Sequence, residues 1–411
     1  MPIPPREVAV VDPPKDLTVA EALAVVADLA PQIREEAPET EARTFYSEDL
    51  HLAFMRAGLY NMLRPRTFGG YEFPIAAYLK VVREIARADM STAWGFCLAS
   101  AHVLWMASWW PEEAQREFFA SAHTAACGTS APGGRMTKVD GGWIVNGVFP
   151  YASGGAYSTH FLGHVFPVNE DGSQGPLSVF MAPRDIWTVR DDWGKTLGLK
   201  GSSSHTVEIT DGFVPDSHVL LGQAITDIAV DGGTPGYALH KNPIYNGRGL
   251  STFTLELASL GVGGALGALD QYREVITTKR TALPPITLRS ENPTYQLWYA
   301  DAATRLQVAE ATLDAAAEQF TECATRAAKG EGSFSLTDDA GIGRCAYTAQ
   351  AAAWQVLEGT LMKTSGSSHL VNGSRMERIW RDFSMLHSHQ NTIVQDITAP
   401  IYGSALLTTA S

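Results

Sequence analysis

The chain has 411 residues, of which 45% are hydrophobic and 18% are charged, and this composition is typical of a globular protein with a large core. The net charge of −13 argues against a nucleic-acid groove and against a surface that binds anionic membranes. The four cysteines lack the spacing of a zinc site, no apolar run approaches the ~18 residues of a membrane span, and acidic residues occur early. We therefore expect a cytoplasmic protein with no metal site, no membrane span and no signal peptide.

Residues 1–126 are predicted to form a helical N-terminal domain. A Pro-rich arm over residues 1–16 precedes apolar residues at helical spacing, and Ser47 begins a second helix with an N-capping pattern. Residues 90–109 are predicted to form a helix that is apolar on every side, which indicates burial. His102 lies in this helix, and a histidine there is either bonded to a backbone carbonyl of the core or placed in a binding pocket.

From residue 127 the apolar period changes from 3.6 to 2. An Asp-Gly pair at 140–141 and an Asn-Gly pair at 146–147 separate short alternating segments, and both pairs predict hairpin turns. We therefore expect residues 127–235 to form an antiparallel β-barrel or sandwich.

Two segments of this predicted β domain are rich in small hydroxylated residues. Gly128–Pro132 contains Thr129 and Ser130, and Tyr151–Gly155 contains Ser153. Either both segments are ordinary turns at strand ends, or their hydroxyl and backbone N–H groups bind a polar ligand.

Residues 236–411 are predicted to form a third, helical domain. Its long Ala-rich helices are suited to an antiparallel bundle. The glycines between Gly261 and Gly267 do not match a dinucleotide-binding fingerprint, because their spacing differs and no strand precedes them. We expect these glycines to allow close packing between helices.

The same domain contains a segment with a functional pattern. A small-polar loop over residues 364–368 precedes a helix that carries Trp380-Arg381-Asp382 and ends near His389. Such a loop beside a helix can hold a phosphate, and a histidine at the helix end can place a proton-transfer group.

This segment resembles the C-terminal part of the acyl-CoA dehydrogenase fold. More closely, it is similar to the flavin-dependent monooxygenases built on that fold, which are the oxygenase components of two-component aromatic hydroxylases. Many acyl-CoA dehydrogenases carry their catalytic Glu in a Tyr-Glu-Gly-Thr run, where this chain has Gln390. Because an amide cannot remove a proton, this difference favours oxygenation over dehydrogenation.

The resemblance implies an α+β multidomain fold with an N-terminal helical domain, a central antiparallel β-barrel or sandwich and a C-terminal four-helix bundle. It also implies a flavoprotein that receives reduced FMN or FAD from a separate flavin reductase and assembles as a homotetramer. Such an enzyme would insert one oxygen atom of O2 into a small aromatic, phenolic substrate through a C4a-hydroperoxyflavin. We expect no nucleic acid and no membrane among its partners.

The resemblance further assigns the residues of the site. His389 would activate the phenol or bond the peroxide, depending on its protonation state, and His102 would orient the phenol oxygen. Hydroxyl groups would bind the flavin ring or the ribityl phosphate. The predicted catalytic residues are His389, His102 and Ser153, and the predicted cofactor-binding residues are Thr129, Ser130, Ser153, Ser365, Gly366, Ser367 and Ser368.

Three alternatives are compatible with the sequence. The chain could be an acyl-CoA or nitroalkane-type flavin dehydrogenase or oxidase whose base is Asp396 or Glu377. It could be a monooxygenase that acts on nitrogen or sulfur of a small molecule. It could also be a flavin- or ligand-binding module without catalytic activity.

Overall fold

The computed structural model describes residues 2–3 and 11–408, so the predicted arm over residues 1–16 falls largely outside the described residues. The N-terminal part contains the helices α1 (Val19–Arg43), α2 (Glu48–Arg56), α3 (Ile75–Ala88), α4 (Met90–Trp109) and α5 (Glu112–Phe118). Side chains that accept backbone hydrogen bonds set the starts of α1, α2 and α4, with Thr18, Ser47 and Asp89 as N-caps. The predicted helix start at Ser47 is thus confirmed.

One mixed sheet contains the strands of the described chain. They are β1 (Pro2–Ile3), β2 (Ala126–Val139), β3 (Gly142–Ala152), β4 (His160–Val168), β5 (Ser178–Pro183), β6 (Thr188–Arg190), β7 (His205–Pro215) and β8 (Val219–Leu220). Their order is β1-β6-β7-β3-β2-β4-β5-β8. The predicted antiparallel pairing holds for every neighbouring pair except β2 and β4, which run parallel. This pair is parallel because residues 153–159 carry the chain from β3 across to the other side of β2 without a hairpin.

The two predicted hairpin turns have different outcomes. The Asp-Gly pair at 140–141 joins β2 to β3, as predicted. The prediction of a turn at 146–147 is wrong, because β3 continues through this pair. The pairing of β3 with β7 shifts between Val145 and Gly147, and Asn146 exchanges hydrogen bonds of 3.1 and 2.9 Å with Asp211. Here the Asn-Gly pair marks a bulge in a continuous strand, which a partner strand stabilises.

The C-terminal part is helical. It contains α6 (Pro235–His240), α7 (Gly249–Thr278), α8 (Pro293–Ala328), α9 (Leu336–Val356), α10 (Lys363–Ser365), α11 (Arg375–His387) and α12 (Gln390–Thr408). A π-helical segment, Leu357–Met362, connects α9 to α10. Among the described helices, α7 is long and apolar enough to cross a membrane, but 94% of its apolar stretch is buried inside the protein, as in a core helix.

The glycines of α7 allow α3 to approach closely, as the sequence predicts. A Cβ on Gly263 would lie 2.4 Å from the carbonyl oxygen of Arg83, and a Cβ on Gly267 would lie 2.4 Å from that of Arg87. Real side chains do not tolerate such distances, so glycine is required at both positions.

Buried apolar residues form two clusters. The larger cluster spans both helical parts, and the smaller one lies in the sheet. All 20 residues of α4 are buried, and this helix packs against β2, α7 and α11. It therefore joins the sheet to the C-terminal helices and positions the candidate site.

Candidate active site

His389 lies in the short connection between α11 and α12. Its ring centroid is 5.6 Å from that of Trp94 on α4 and 5.8 Å from that of Phe253 on α7. Its Nδ1 accepts a hydrogen bond of 3.2 Å from the backbone N–H of Asn391. Burial lowers the pKa of His389 from 6.5 to about 4. At neutral pH the ring is therefore neutral, and the hydrogen bond at Nδ1 assigns its proton to Nε2, where it can be donated.

A chain of hydroxyl groups reaches His389 through Trp94. The indole Nε1 of Trp94 donates to the Oγ of Ser153 at 2.9 Å. The hydroxyls of Ser153 and Ser204 lie 2.7 Å apart, as do those of Ser204 and Ser202. All three serines are buried. This chain holds the indole ring in place and joins two predicted catalytic residues, His389 and Ser153, through a residue that contacts both.

Ser130 reaches the same region from the sheet. It lies where the pairing of β2 with β4 is shifted between Gly128 and Pro132, and such irregularities re-aim side chains out of the regular pleat. The Oγ of Ser130 accepts a hydrogen bond from the side-chain amide of Gln390, the residue that follows His389. The structure therefore brings Ser130, Ser153 and His389 into one cluster.

His102 lies about two turns after Trp94 on α4. Its Nδ1 donates to the carbonyl of Ala126 at 2.7 Å, so the histidine is bonded to a core carbonyl. Burial lowers its pKa from 6.5 to about 4, which keeps the ring neutral. Its Nε2 is then an acceptor, and it makes no hydrogen bond with any residue that the structure describes. His102 also packs on Trp105, with ring centroids 4.9 Å apart.

Thr129 uses its polar groups within the sheet. Its hydroxyl donates to the carbonyl of Ala131 at 3.4 Å, and its own carbonyl accepts a bond of 2.7 Å from Nδ1 of His164. The described contacts do not join its side chain to the cluster around His389.

The predicted cofactor loop lies elsewhere in this chain. The hydroxyl of Thr364, the first residue of the predicted small-polar loop, lies 2.8 Å from the hydroxyl of Tyr272 near the end of α7. Phe253, which contacts His389, is near the start of α7, so about 28 Å of helix separates the two regions. Within a single chain, the cluster around His389 is therefore far from the loop residues Ser365, Gly366, Ser367 and Ser368.

The two acidic residues that a dehydrogenase could use are not at His389. Glu377 accepts a hydrogen bond of 2.5 Å from Arg381 near the other end of α11. The side chain of Asp396 is 74% exposed and lies 3.8 Å from Arg344. Burial alone lowers the pKa of His389, without a contribution from a charged neighbour. Within residues 11–408, no carboxylate contacts this imidazole.

The cluster fits the polar, planar ring of a flavin. Ser130 is exposed, and its hydroxyl can still donate while it accepts from Gln390. Tyr151, two residues before Ser153, is 62% exposed, has a φ of 64° and packs its ring on Trp193, with centroids 5.4 Å apart. A bulky residue seldom adopts this conformation, and such residues often occur at ligand sites. The groups that would hold the ring are thus the hydroxyls of Ser130 and Ser153 and the N–H of His389.

Sequence reasoning did not assign site roles to Trp94, Ser204 or Gln390. The spacing of Trp94 and His102, about two helical turns, is the local signal that could have identified Trp94. Ser204 belongs to a visible serine run, but its contact with Ser153 depends on the fold. For Gln390, the sequence shows only that a side chain unable to act as a base occupies this position.

Comparisons with known proteins identify the family. The acyl-CoA dehydrogenase N-terminal domain matches residues 20–125, and the acyl-CoA dehydrogenase C-terminal domain matches residues 255–393. The FADH(2)-dependent resorcinol hydroxylase, oxygenase component, of Rhizobium sp. (strain MTP-10005) is 30% identical over 379 residues, which cover 89% of this chain and 88% of that protein. The flavin-dependent monooxygenase, oxygenase subunit HsaA, of Rhodococcus jostii (strain RHA1) is 29% identical over 361 residues, with coverages of 86% and 90%.

Solved structures confirm the predicted fold class. The HsaA monooxygenase from M. tuberculosis has a TM-score of 0.84 at 23% identity, covering 95% of this chain and 98% of that chain. The 3-HSA hydroxylase from Rhodococcus sp. RHA1 has a TM-score of 0.83 at 24% identity, with coverages of 94% and 97%. The chain belongs to the flavin-dependent monooxygenases of the acyl-CoA dehydrogenase family, as an oxygenase component of the two-component type.

Proposed function

We propose that this oxygenase component hydroxylates a small phenolic compound with reduced flavin and O2. The observation that carries the proposal is a pair of neutral histidines with opposite hydrogen-bonding capacity, His102 in α4 and His389 packed against Trp94 of the same helix. His389 offers an N–H donor, and His102 offers an unoccupied acceptor. A dehydrogenase would instead need a carboxylate base at His389, and none contacts this residue in the described part of the chain.

His102 is suited to bind the substrate hydroxyl. A phenol O–H donates a hydrogen bond, and Nε2 of His102 is an acceptor because Nδ1 is fixed as the donor to Ala126. With a pKa of about 4, the ring keeps this acceptor at neutral pH. Trp105 beside it provides an apolar surface for an aromatic ring.

His389 is suited to stabilise negative charge on an oxygen atom. When bound, the reduced flavin activates O2 and supplies the oxygen atom that enters the substrate. The Nε2–H of His389 is held in one orientation by Asn391, so it can donate without reorganisation. Trp94 and Phe253 pack against the ring. Apolar walls of this kind limit the access of water, which otherwise promotes loss of peroxide.

The cofactor role predicted for residues 365–368 requires a second chain. About 28 Å along α7 separates this loop from His389, so it would contact the flavin of a neighbouring subunit in the proposed homotetramer. Large apolar side chains on α8 and α12 support self-association, because exposed apolar surface of this kind usually marks an interface. They are Leu297, Val308, Ile393, Ile397, Leu406 and Leu407, which are 54–80% exposed.

We further propose that a flavin reductase supplies reduced FMN or FAD to this chain. The relatives are named as oxygenase components or subunits, and such components receive their reduced flavin from another protein. A cytoplasmic location is in keeping with the four free cysteines.

The test combines binding with turnover. Anaerobic titration with reduced FMN and with FADH2 would identify the flavin that binds. Photoreduced flavin, O2 and a panel of phenols would then be mixed with the protein, and the hydroxylated product would be measured per O2 consumed. We expect His389→Ala to lower this coupling, whereas the matched control Asp396→Asn should retain it. A wild-type coupling in His389→Ala, or a reaction that requires Asp396, would contradict the proposal.

A further inference from the structure

A second cavity lies away from His389. It is an open groove with a volume of about 810 Å³, lined by the end of α1, the loop over residues 193–200 and the start of α11. Arg378 lines it, and about 16 Å of α11 separates this residue from His389. Although the chain carries a net charge of −13, four cations line this cavity. They are Lys195, Lys200, Arg378 and Arg381.

Only two of these four cations are neutralised. The acidic lining residues are Glu41 and Glu377. Arg381 contacts both, at 2.9 Å from Glu41 and 2.5 Å from Glu377, and Lys200 lies 3.3 Å from Glu41. The other two cations have no acidic side chain within ion-pair distance in the described chain.

Arg378 is one of these two, and it is only 8% exposed. Its Nη1 donates to the carbonyl of Gly373 at 2.5 Å, while its remaining nitrogens have no acceptor among the residues that the structure describes. Asp89 also interacts with Arg378, but burial raises the pKa of Asp89 and weakens it as a counter-charge. A buried guanidinium with free donors is costly unless an anion binds it.

The remaining walls are also suited to a phosphorylated aromatic ligand. Asn372 and Gly373 line the cavity directly before the start of α11, whose N-cap is Ser374. The first turn of this 13-residue helix carries the positive end of the helix dipole, which favours anions, while the Ser374 hydroxyl caps the N–H of Glu377. Trp193 supplies an aromatic wall, and its indole is held by a hydrogen bond of 2.9 Å to the carbonyl of Leu199.

We propose that this cavity binds a phosphorylated aromatic compound of nucleotide size. Its phosphate would lie against Lys195, Arg378 and the start of α11, and its ring would lie against Trp193. Guanidinium groups bind phosphate through paired hydrogen bonds, which suits the free nitrogens of Arg378. The volume of about 810 Å³ lies in the range of small-molecule pockets, which favours a ligand of nucleotide size over an acidic segment of a partner protein. The proposal does not depend on the hydroxylation at His389.

The test measures binding of ADP to the full chain by isothermal titration calorimetry, without flavin. We expect saturable binding of one ADP per chain. Lys195→Glu should weaken it by at least about tenfold, the loss expected for one charge-assisted hydrogen bond. Trp193→Leu should weaken binding of ADP but not of pyrophosphate. Lys329→Glu makes the same charge change at an exposed site outside the cavity and should bind like the wild type.

Lys195 is exposed, so its substitution leaves the fold intact, and Arg378→Gln would add a second variant with its folding checked by circular dichroism. Equal ADP affinity in the wild type and in Lys195→Glu would overturn the proposal. Inorganic phosphate that binds as tightly as ADP would show that the aromatic ring contributes nothing to binding, and this would overturn the aromatic part of the proposal. A polyglutamate peptide that binds more tightly than ADP would replace the nucleotide with an acidic protein partner.

Discussion

Replacing His389 by Gln and by Ala separates the role of a hydrogen-bond donor from that of a base. Nδ1 of His389 accepts from the backbone N–H of Asn391 at 3.2 Å, so the neutral ring presents the N–H at Nε2 to the site. A Gln side chain presents an amide N–H but cannot take up a proton. We therefore expect His389→Gln to retain much of the activity that His389→Ala loses.

The magnitude follows from the loss of one donor to negative charge on oxygen. Removing such a donor from a buried site lowers the rate by about 10²- to 10³-fold. We expect His389→Ala to lower the rate of product formation by about 10²-fold, and His389→Gln to stay within about tenfold of the wild type. The assay is single-turnover product formation with photoreduced flavin, O2 and a phenol. Because the pKa of His389 is about 4, the wild-type rate should not change with pH between about 5 and 8.

Two results would refute this reasoning. An inflection near the ordinary histidine pKa of 6.5 that disappears in His389→Gln would show that the ring titrates during catalysis. Activity of His389→Gln as low as that of His389→Ala would show that a proton acceptor is required. Circular dichroism of both variants excludes a loss of folding as the cause.

Three further predictions concern packing, burial and the hydroxyl chain. Gly263→Ala places a Cβ 2.4 Å from the carbonyl oxygen of Arg83 and should lower the free energy of unfolding by about 1–3 kcal/mol in urea, whereas Gly359→Ala meets no atom within 4 Å and should not. The pKa values of the two site histidines fall from 6.5 to about 4 on folding, so the unfolded chain binds more protons between these values, and the urea midpoint should fall as the pH falls through this range. A urea midpoint that stays constant over this pH range would contradict the burial of the two site histidines. Trp94→Phe removes the donor to Ser153 but keeps an aromatic ring, and it should weaken binding of reduced flavin by about 5- to 100-fold in an anaerobic titration. An unchanged affinity of Trp94→Phe for reduced flavin would show that Ser153 does not take part in flavin binding.

Much of the secondary structure could be predicted from the sequence, because it depends on residues that are neighbours in the chain. The N-cap at Ser47, the turn at 140–141 and the buried helix over residues 90–109 are of this kind. The Asn-Gly pair at 146–147 predicts a turn by the same local rule. That prediction fails because Asp211 of the neighbouring strand bonds Asn146 within a continuous β3.

The candidate site likewise has features that the sequence predicts and features that depend on the tertiary structure. The presence of His389 and of Gln390 in place of an acid can be recognised from the sequence by its resemblance to a family. Only the tertiary structure decides that Trp94 lies against His389 and that the loop over residues 365–368 lies far from it. These contacts depend on how α4 and α11 dock against α7, and such docking joins residues that are hundreds of positions apart. The proton of His389 is assigned by one backbone N–H at the start of α12, so its role as a donor rests on geometry that residue identity alone does not specify.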